Sequence, residues 1–216
     1  MIRTHPALLL AVVLSLLLAA CNDAGDSVGI SDGPSQADTT TAEEPGSDAA
    51  DAFTDVDVTF LQGMIPHHAQ AVEMAELVAD RTAHPDELNA LAEEIIAAQE
   101  DEIDEMNALL EAAGEEPVDA AMGGMNHSDM GSGEMAMSGM MSGEDMTALA
   151  EADGDTFDGQ FLEMMIAHHE GAIEAAQQVL DQSDGSPEVA DLAQRIIDAQ
   201  EAEIAQMQGW QQDWGV

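Results

Sequence analysis

The strongest constraint on the fold is an internal repeat. Shifted by 101 positions, residues 60–114 lie on residues 161–215 without a gap, and 23 of the 55 aligned positions are identical. Phe60-Leu61-Gln62-Gly63-Met64-Ile65-Pro66-His67-His68 meets Phe161-Leu162-Glu163-Met164-Met165-Ile166-Ala167-His168-His169. Gln99-Glu100-Asp101-Glu102-Ile103-Asp104-Glu105-Met106 meets Gln200-Glu201-Ala202-Glu203-Ile204-Ala205-Gln206-Met207. Segments this alike fold alike, so the chain carries one supersecondary unit twice.

Each copy reads as two helices. Phe60, Met64, His67, Ala71, Met74 and Val78 recur at three-to-four spacing, as do Leu88, Leu91, Ile95, Gln99, Ile103, Met106 and Leu110. His84-Pro85-Asp86-Glu87 marks a helix start with Pro in the first turn, and Gly114 marks its end. Ser186-Pro187-Glu188 and Gly215 repeat the pattern. A lone hairpin leaves an apolar face uncovered, whereas two packed together share a core. The predicted fold is therefore all-α: a four-helix bundle of two repeated helical hairpins, residues 54–114 and 156–216, with approximate two-fold internal symmetry. Pro66 is expected to free a carbonyl and kink the first helix beside its histidines; Ala167 spares the second copy.

The rest of the chain has a different character. Arg3, an apolar run from Ala7 to Leu18, and Leu18-Ala19-Ala20-Cys21 match a secretory signal peptide over residues 1–20, with Cys21 placed where bacterial exported proteins are lipidated. Residues 21–53 are Asp, Ser, Thr, Gly, Pro and Ala with few large apolar groups, and read as a disordered tether. Residues 115–155 read as a flexible Met/Gly/Ser-rich linker between the repeats. The expectation is an exported protein, lipid-anchored to the outer face of the bacterial cell membrane or periplasmic, touching the membrane through that anchor alone.

Charge and cysteine usage exclude other classes. The chain has 45 Asp+Glu against 3 Lys+Arg, a formal charge of −42, so it repels nucleic acid and anionic lipid. With the single cysteine at position 21, a disulfide framework or a thiolate-based zinc or iron–sulfur site is not available. There is no phosphate-cradling Gly loop, no nucleophile–base set, and no motif for an organic cofactor, so no catalytic constellation is recognised.

What remains are histidines and methionines. Successive helix residues point about 100° apart, so the two members of a His pair can hardly face one small site equally. Met64 precedes His67 and His68 by three and four positions; Met165 stands likewise to His168 and His169, and Met164 lies four before His168. Met74 falls seven after His67. Imidazole flanked by thioether suits Cu(I) or Ag(I); with carboxylates such as Glu73 or Glu174 recruited it would suit Cu(II) or Zn(II). The candidate ligands form two unequal sets, Met64-His67-His68-Met74 and Met164-Met165-His168-His169. A secondary set lies in the linker: Met122, Met125, His127, Met130, Met135, Met137, Met140 and Met141. Met is also an adaptable core filler, but a flexible segment has no core to fill. Di-iron chemistry in a bundle uses Glu-x-x-His; Met64, Ile65, Met165 and Ile166 hold the positions where that Glu would stand.

The segment Phe-x-x-x-Met-Ile-x-His-His-x-x-Ala-(Val/Ile)-Glu, the later Gln-x-x-Glu-Ile-x-x-Met and the closing Trp210-x-x-x-Trp214-Gly215 resemble the bacterial family known as domain of unknown function 305. The resemblance covers about residues 55–114 and 155–216. It implies a ferritin-like helical bundle, export and, for some members, copper binding through His and Met. Two departures stand out: Ala175 lies opposite Met74, and Leu109 and Ala113 lie opposite Trp210 and Trp214. The expected function is binding of soft metal ions, copper first, Cu(I) before Cu(II), for tolerance, storage or delivery; the metal is the one partner the residues indicate. The alternatives are a ferritin-like metal-dependent redox enzyme and a cell-envelope interaction module whose His and Met are structural.

Overall fold

A computed structural model describes residues 53–79, 81, 85–120, 137–182 and 184–216. Among them are five helices and no strand: α1 (Asp55–Ala79), α2 (Asp86–Ala112), α3 (Gly143–Glu151), α4 (Gly154–Leu180) and α5 (Pro187–Trp214). α1 pairs with α2 and α4 with α5, while α1 and α4 meet at the centre. The all-α reading and the repeated hairpins are what the structure shows. Cys21, the leader and nearly all of the tether, His84, Met122, Met125, His127, Met130 and Met135 lie outside the described residues.

Local chemistry sets the helix ends. Thr54 and Asp57 form a reciprocal cap on α1: the Asp57 N–H donates to Thr54 Oγ1 at 3.2 Å, and Thr54 N and Oγ1 each donate to Asp57 Oδ2 at 2.8 Å. The same buried carboxylate accepts from Ser186 N at 3.0 Å, tying the start of α1 to the start of α5. α1 continues through Pro66 without a break. Pro85 stands just before α2, one place earlier than the sequence implies, whereas Pro187 occupies the first turn of α5. Gly114, at φ 85°, closes α2: Glu115 N donates to Leu110 O and Gly114 N to Glu111 O, the paired bonds of a Schellman ending.

The 115–155 segment corrects the sequence reading. It is not a continuous structureless linker: residues 143–151 are helical, and α4 begins inside it at Gly154. Ser142 and Asp145 form a full capping box on α3, Leu149 is fully buried, and Met146 packs on the core. Arg81 secures the far end of α3. Its guanidinium donates to Ala150 O at 2.7 Å and Leu77 O at 2.6 Å and lies 3.9 Å from the Phe157 ring centroid. A cation at a helix C-terminus is favoured by the helix dipole, and Arg81 is one of three basic residues in the chain.

The core is divided in two. One half combines Phe60, Leu61 and Met64 of α1 with Ile103 and Met106 of α2, Ala172 and Ala176 of α4, and Leu192 and Ile196 of α5. The other combines Met74 and Val78 of α1 with Leu88, Leu91 and Ile95 of α2, Phe161 and Met165 of α4, and Met207 of α5. The first half of α1 thus shares a core with the second half of α4, and the reverse, as two antiparallel copies about a pseudo-two-fold require. Between the halves lies a buried polar layer: His67, His68, Gln99, His168, His169 and Gln200.

Candidate metal centre

Both histidines of each pair are buried, at 1% exposure or less, although neighbouring residues on a helix point in different directions. The bundle accommodates both because α1 and α4 are central and have neighbours on two sides. His67 and His168 face each other across the pseudo-two-fold, ring centroids 3.8 Å apart and planes tilted by 35°. His68 and His169 turn toward the outer helices. His68 Nε2 lies 2.7 Å from Glu102 Oε2 on α2, and His169 Nε2 lies 2.5 Å from Glu203 Oε2 on α5. Glu102 and Glu203 occupy equivalent positions in the repeat, so the contact is made twice. The sequence points instead to Glu73 and Glu174, which are exposed. The recurrence of Glu102 as Glu203 is visible in the repeat, but only packing of α2 on α1 shows which ring each carboxylate meets.

One stretch of chain covers the centre. Residues 137–142 cross α1 and α4, and His67 Nε2 donates to the Ser138 carbonyl at 3.1 Å. Gln70 brackets Met141 from both sides, its Nε2 donating to Met141 O at 2.9 Å and its Oε1 accepting from Met141 N at 2.7 Å. Two glycines allow this approach. A Cβ on Gly171 would overlap Ser138 O, and one on Gly139, which sits at φ 82°, would lie 2.5 Å from Ala167 O. Sequence patterning singles out neither Gln70 nor the Ser138 carbonyl.

Burial governs the electrostatics. It is the largest cause holding His67 down to about 3, with His68 and His169 adding to it and the Ser138 carbonyl opposing. His168 is held well below the ordinary imidazole range, first by burial and then by His67, His169 and His68; the nearby His67 backbone opposes weakly. Both facing rings are therefore neutral near neutral pH, with lone pairs free of protons. Among the described residues, His67 Nδ1, His68 Nδ1, His169 Nδ1 and both nitrogens of His168 are buried without a well-formed hydrogen bond, as are Gln99 Oε1 and both amide atoms of Gln200. Buried polar atoms usually have partners, and eight without one fall in this single layer.

The thioethers distribute differently from the sequence grouping. Met64 belongs to one core half, with Met106, and Met137 packs on that half. Met74 belongs to the other, with Met165 and Met207, and Met141, Met146 and half-buried Met164 pack there. Met64 and Met74 thus fall in different halves: the first half holds methionines of the first repeat and the crossing segment, the second holds methionines of both repeats, and the histidine layer lies between these two sulfur-bearing faces. Met137, Met140 and Met141, expected in a mobile linker, are half-buried in the crossing segment. Among the described residues no three His, Cys, Asp or Glu side chains are arranged to hold a metal ion. What the layer offers is buried imidazole in pairs with thioether on both sides, a donor set that fits soft ions of low coordination number.

Solved structures share this fold. The protein CopM, solved with Cu(II), is 40% identical and superposes with a TM-score of 0.59 over 73% of this chain and 97% of that one. CopM has also been solved with Cu(I) and with silver. A DUF305 fragment from Deinococcus radiodurans is 30% identical, with a TM-score of 0.61 over 73% of this chain and 95% of that one. The uncharacterized protein L153 of Acanthamoeba polyphaga mimivirus is 45% identical over 60 residues, a stretch that spans 38% of that relative and 28% of this chain. A family model described as Domain of unknown function (DUF305) matches residues 57–211, from the first turn of α1 to the last turn of α5, and the chain belongs to that family.

Proposed function

We propose that this chain is an exported binder of soft metal ions, copper first and Cu(I) before Cu(II), acting in tolerance, storage or delivery and not in catalysis. The observation that carries the reading is the buried layer of four imidazoles, five of whose ring nitrogens lack a well-formed hydrogen bond, between two methionine-bearing core halves. The likeness to CopM, which has been solved with Cu(I), Cu(II) and silver, supports the same ions here. In this reading His67, His68, His168 and His169 supply nitrogen, while Met64, Met74, Met164 and Met165 supply sulfur. Met122, Met125, His127, Met130 and Met135, together with Met137, Met140 and Met141, form a second capture segment. Cys21 carries the lipid that holds the protein at the outer face of the membrane.

The test is competition of the purified chain against a Cu(I) chelator of known affinity, repeated with Ag(I). Binding at several sites, tighter than that of a generic acidic protein, is expected; binding no tighter than that control defeats the reading. Replacing Met122, Met125, Met130 and Met135 by Leu should lower the stoichiometry and leave a helix-borne site. Total loss of binding in that variant would remove the histidine layer from the assignment. Cys21→Ser should release the protein from membranes into the soluble exported fraction.

A further inference from the structure

We infer that Glu102 and Glu203 are positioning residues that fix which ring nitrogen His68 and His169 offer to a metal: Nε2 is committed to the carboxylate and Nδ1 is the ligand atom. The inference rests on the soft-metal reading above and adds the identity of the coordinating atom and the residues that select it.

Each Nε2 lies 2.7 or 2.5 Å from a glutamate oxygen. A carboxylate oxygen accepts, so the ring nitrogen facing it must carry the hydrogen. Nδ1 of the same ring is buried with no partner. A hydrogen there would be a buried donor with nothing to receive it, which costs more than an idle lone pair. Both ends of the ring therefore specify one tautomer. His67 reaches the same tautomer independently, because the carbonyl of Ser138 facing its Nε2 can only accept. The arrangement occurs at both equivalent positions of the repeat, with the glutamate 34 residues after its histidine each time. Each glutamate also lies one turn beyond a buried glutamine, Gln99 or Gln200, so α2 and α5 present the same polar face to the rings. A carboxylate behind a ligating imidazole raises its basicity and fixes its orientation.

The experiment uses ring-15N-labelled chain and long-range proton–nitrogen correlation. Signals are assigned by their loss in His68→Asn and His169→Asn. In the metal-free protein both rings should show hydrogen on Nε2 and a bare Nδ1. Added Ag(I) should then move the Nδ1 resonances. Glu102→Gln and Glu203→Gln keep an accepting oxygen but lose the negative charge, and should weaken Ag(I) binding by about 10- to 100-fold, the range for such supporting groups, whereas Glu102→Leu and Glu203→Leu, which remove the acceptor, should also lose the single-tautomer signature. Hydrogen on Nδ1 in the metal-free wild type overturns the inference while leaving metal binding intact. Perturbation by Ag(I) at Nε2 also overturns it. Ag(I) that moves no ring resonance overturns the soft-metal reading, and this inference with it.

Discussion

The two repeats carry the same histidine pair, and the surrounding chain treats them differently. In the first, His67 donates to Ser138, Gln70 clamps Met141, and Arg81 holds α3. In the second, the residues at those positions are His168, which lacks a well-formed hydrogen bond, Gly171, which makes room for the crossing segment, and Gln182. The difference teaches how a duplicated fold acquires an asymmetric site. Helix faces are copied with the sequence, but the connection between repeats occurs once and can cover only one side of a two-fold.

Substitutions that make the repeats alike test this contrast. Met74→Ala installs the residue of the second repeat and leaves a void in the core half containing Met165; a loss of about 2–5 kcal/mol is expected in chemical denaturation. If Met74 is a ligand, Ag(I) affinity falls as well, so stability and affinity should be measured on the same sample. The converse change, Gly171→Gln, places a Cβ against the Ser138 carbonyl. It should cost about 1–3 kcal/mol and displace residues 137–142, read as faster amide exchange there and at Met141; unchanged exchange would show that the segment is not held by this fit. Arg81→Gln should detach the end of α3 and cost about 2 kcal/mol, through loss of charged hydrogen bonds to carbonyls.

The smallest effect is on pH dependence. His67 is held down to about 3, and His168 is lowered in the same direction, while the unfolded rings titrate near 6.5. As pH falls below 6.5 the unfolded chain takes up protons that the folded rings refuse, so this contribution is full above 6.5 and is lost between there and about 3. Neutralising the many carboxylates acts in the opposite sense by relieving repulsion. The measurement is therefore a difference: between pH 7 and 5 the thermal midpoint of metal-free wild type should fall relative to that of His67→Asn. Parallel curves would contradict the burial of a neutral ring.

Much of the architecture is legible in the sequence because it depends on periodicity and duplication. The stripe through Phe60, Met64 and Ala71 names a buried face whichever partner covers it, and Gly114 ends α2 by its own backbone freedom. α3 is hidden because its Gly- and Met-rich surroundings outweigh a short signal, Ser142 three residues before Asp145. Glu102 and Glu203 are visible as a repeated pair but cannot be joined to His68 and His169, since 34 positions of separation say nothing about the register of two packed helices.

By itself, then, the sequence determined whatever depends on local and repeating order: two helical hairpins, their ends, and histidine and methionine on inward faces. The tertiary structure alone decided which groups meet. It placed His67 against His168, put Met64 and Met74 into different core halves, and brought the Ser138 carbonyl over one ring. These contacts depend on how helices pack across a pseudo-two-fold and on where a single connection crosses it, and neither quantity is encoded at fixed spacing along the chain.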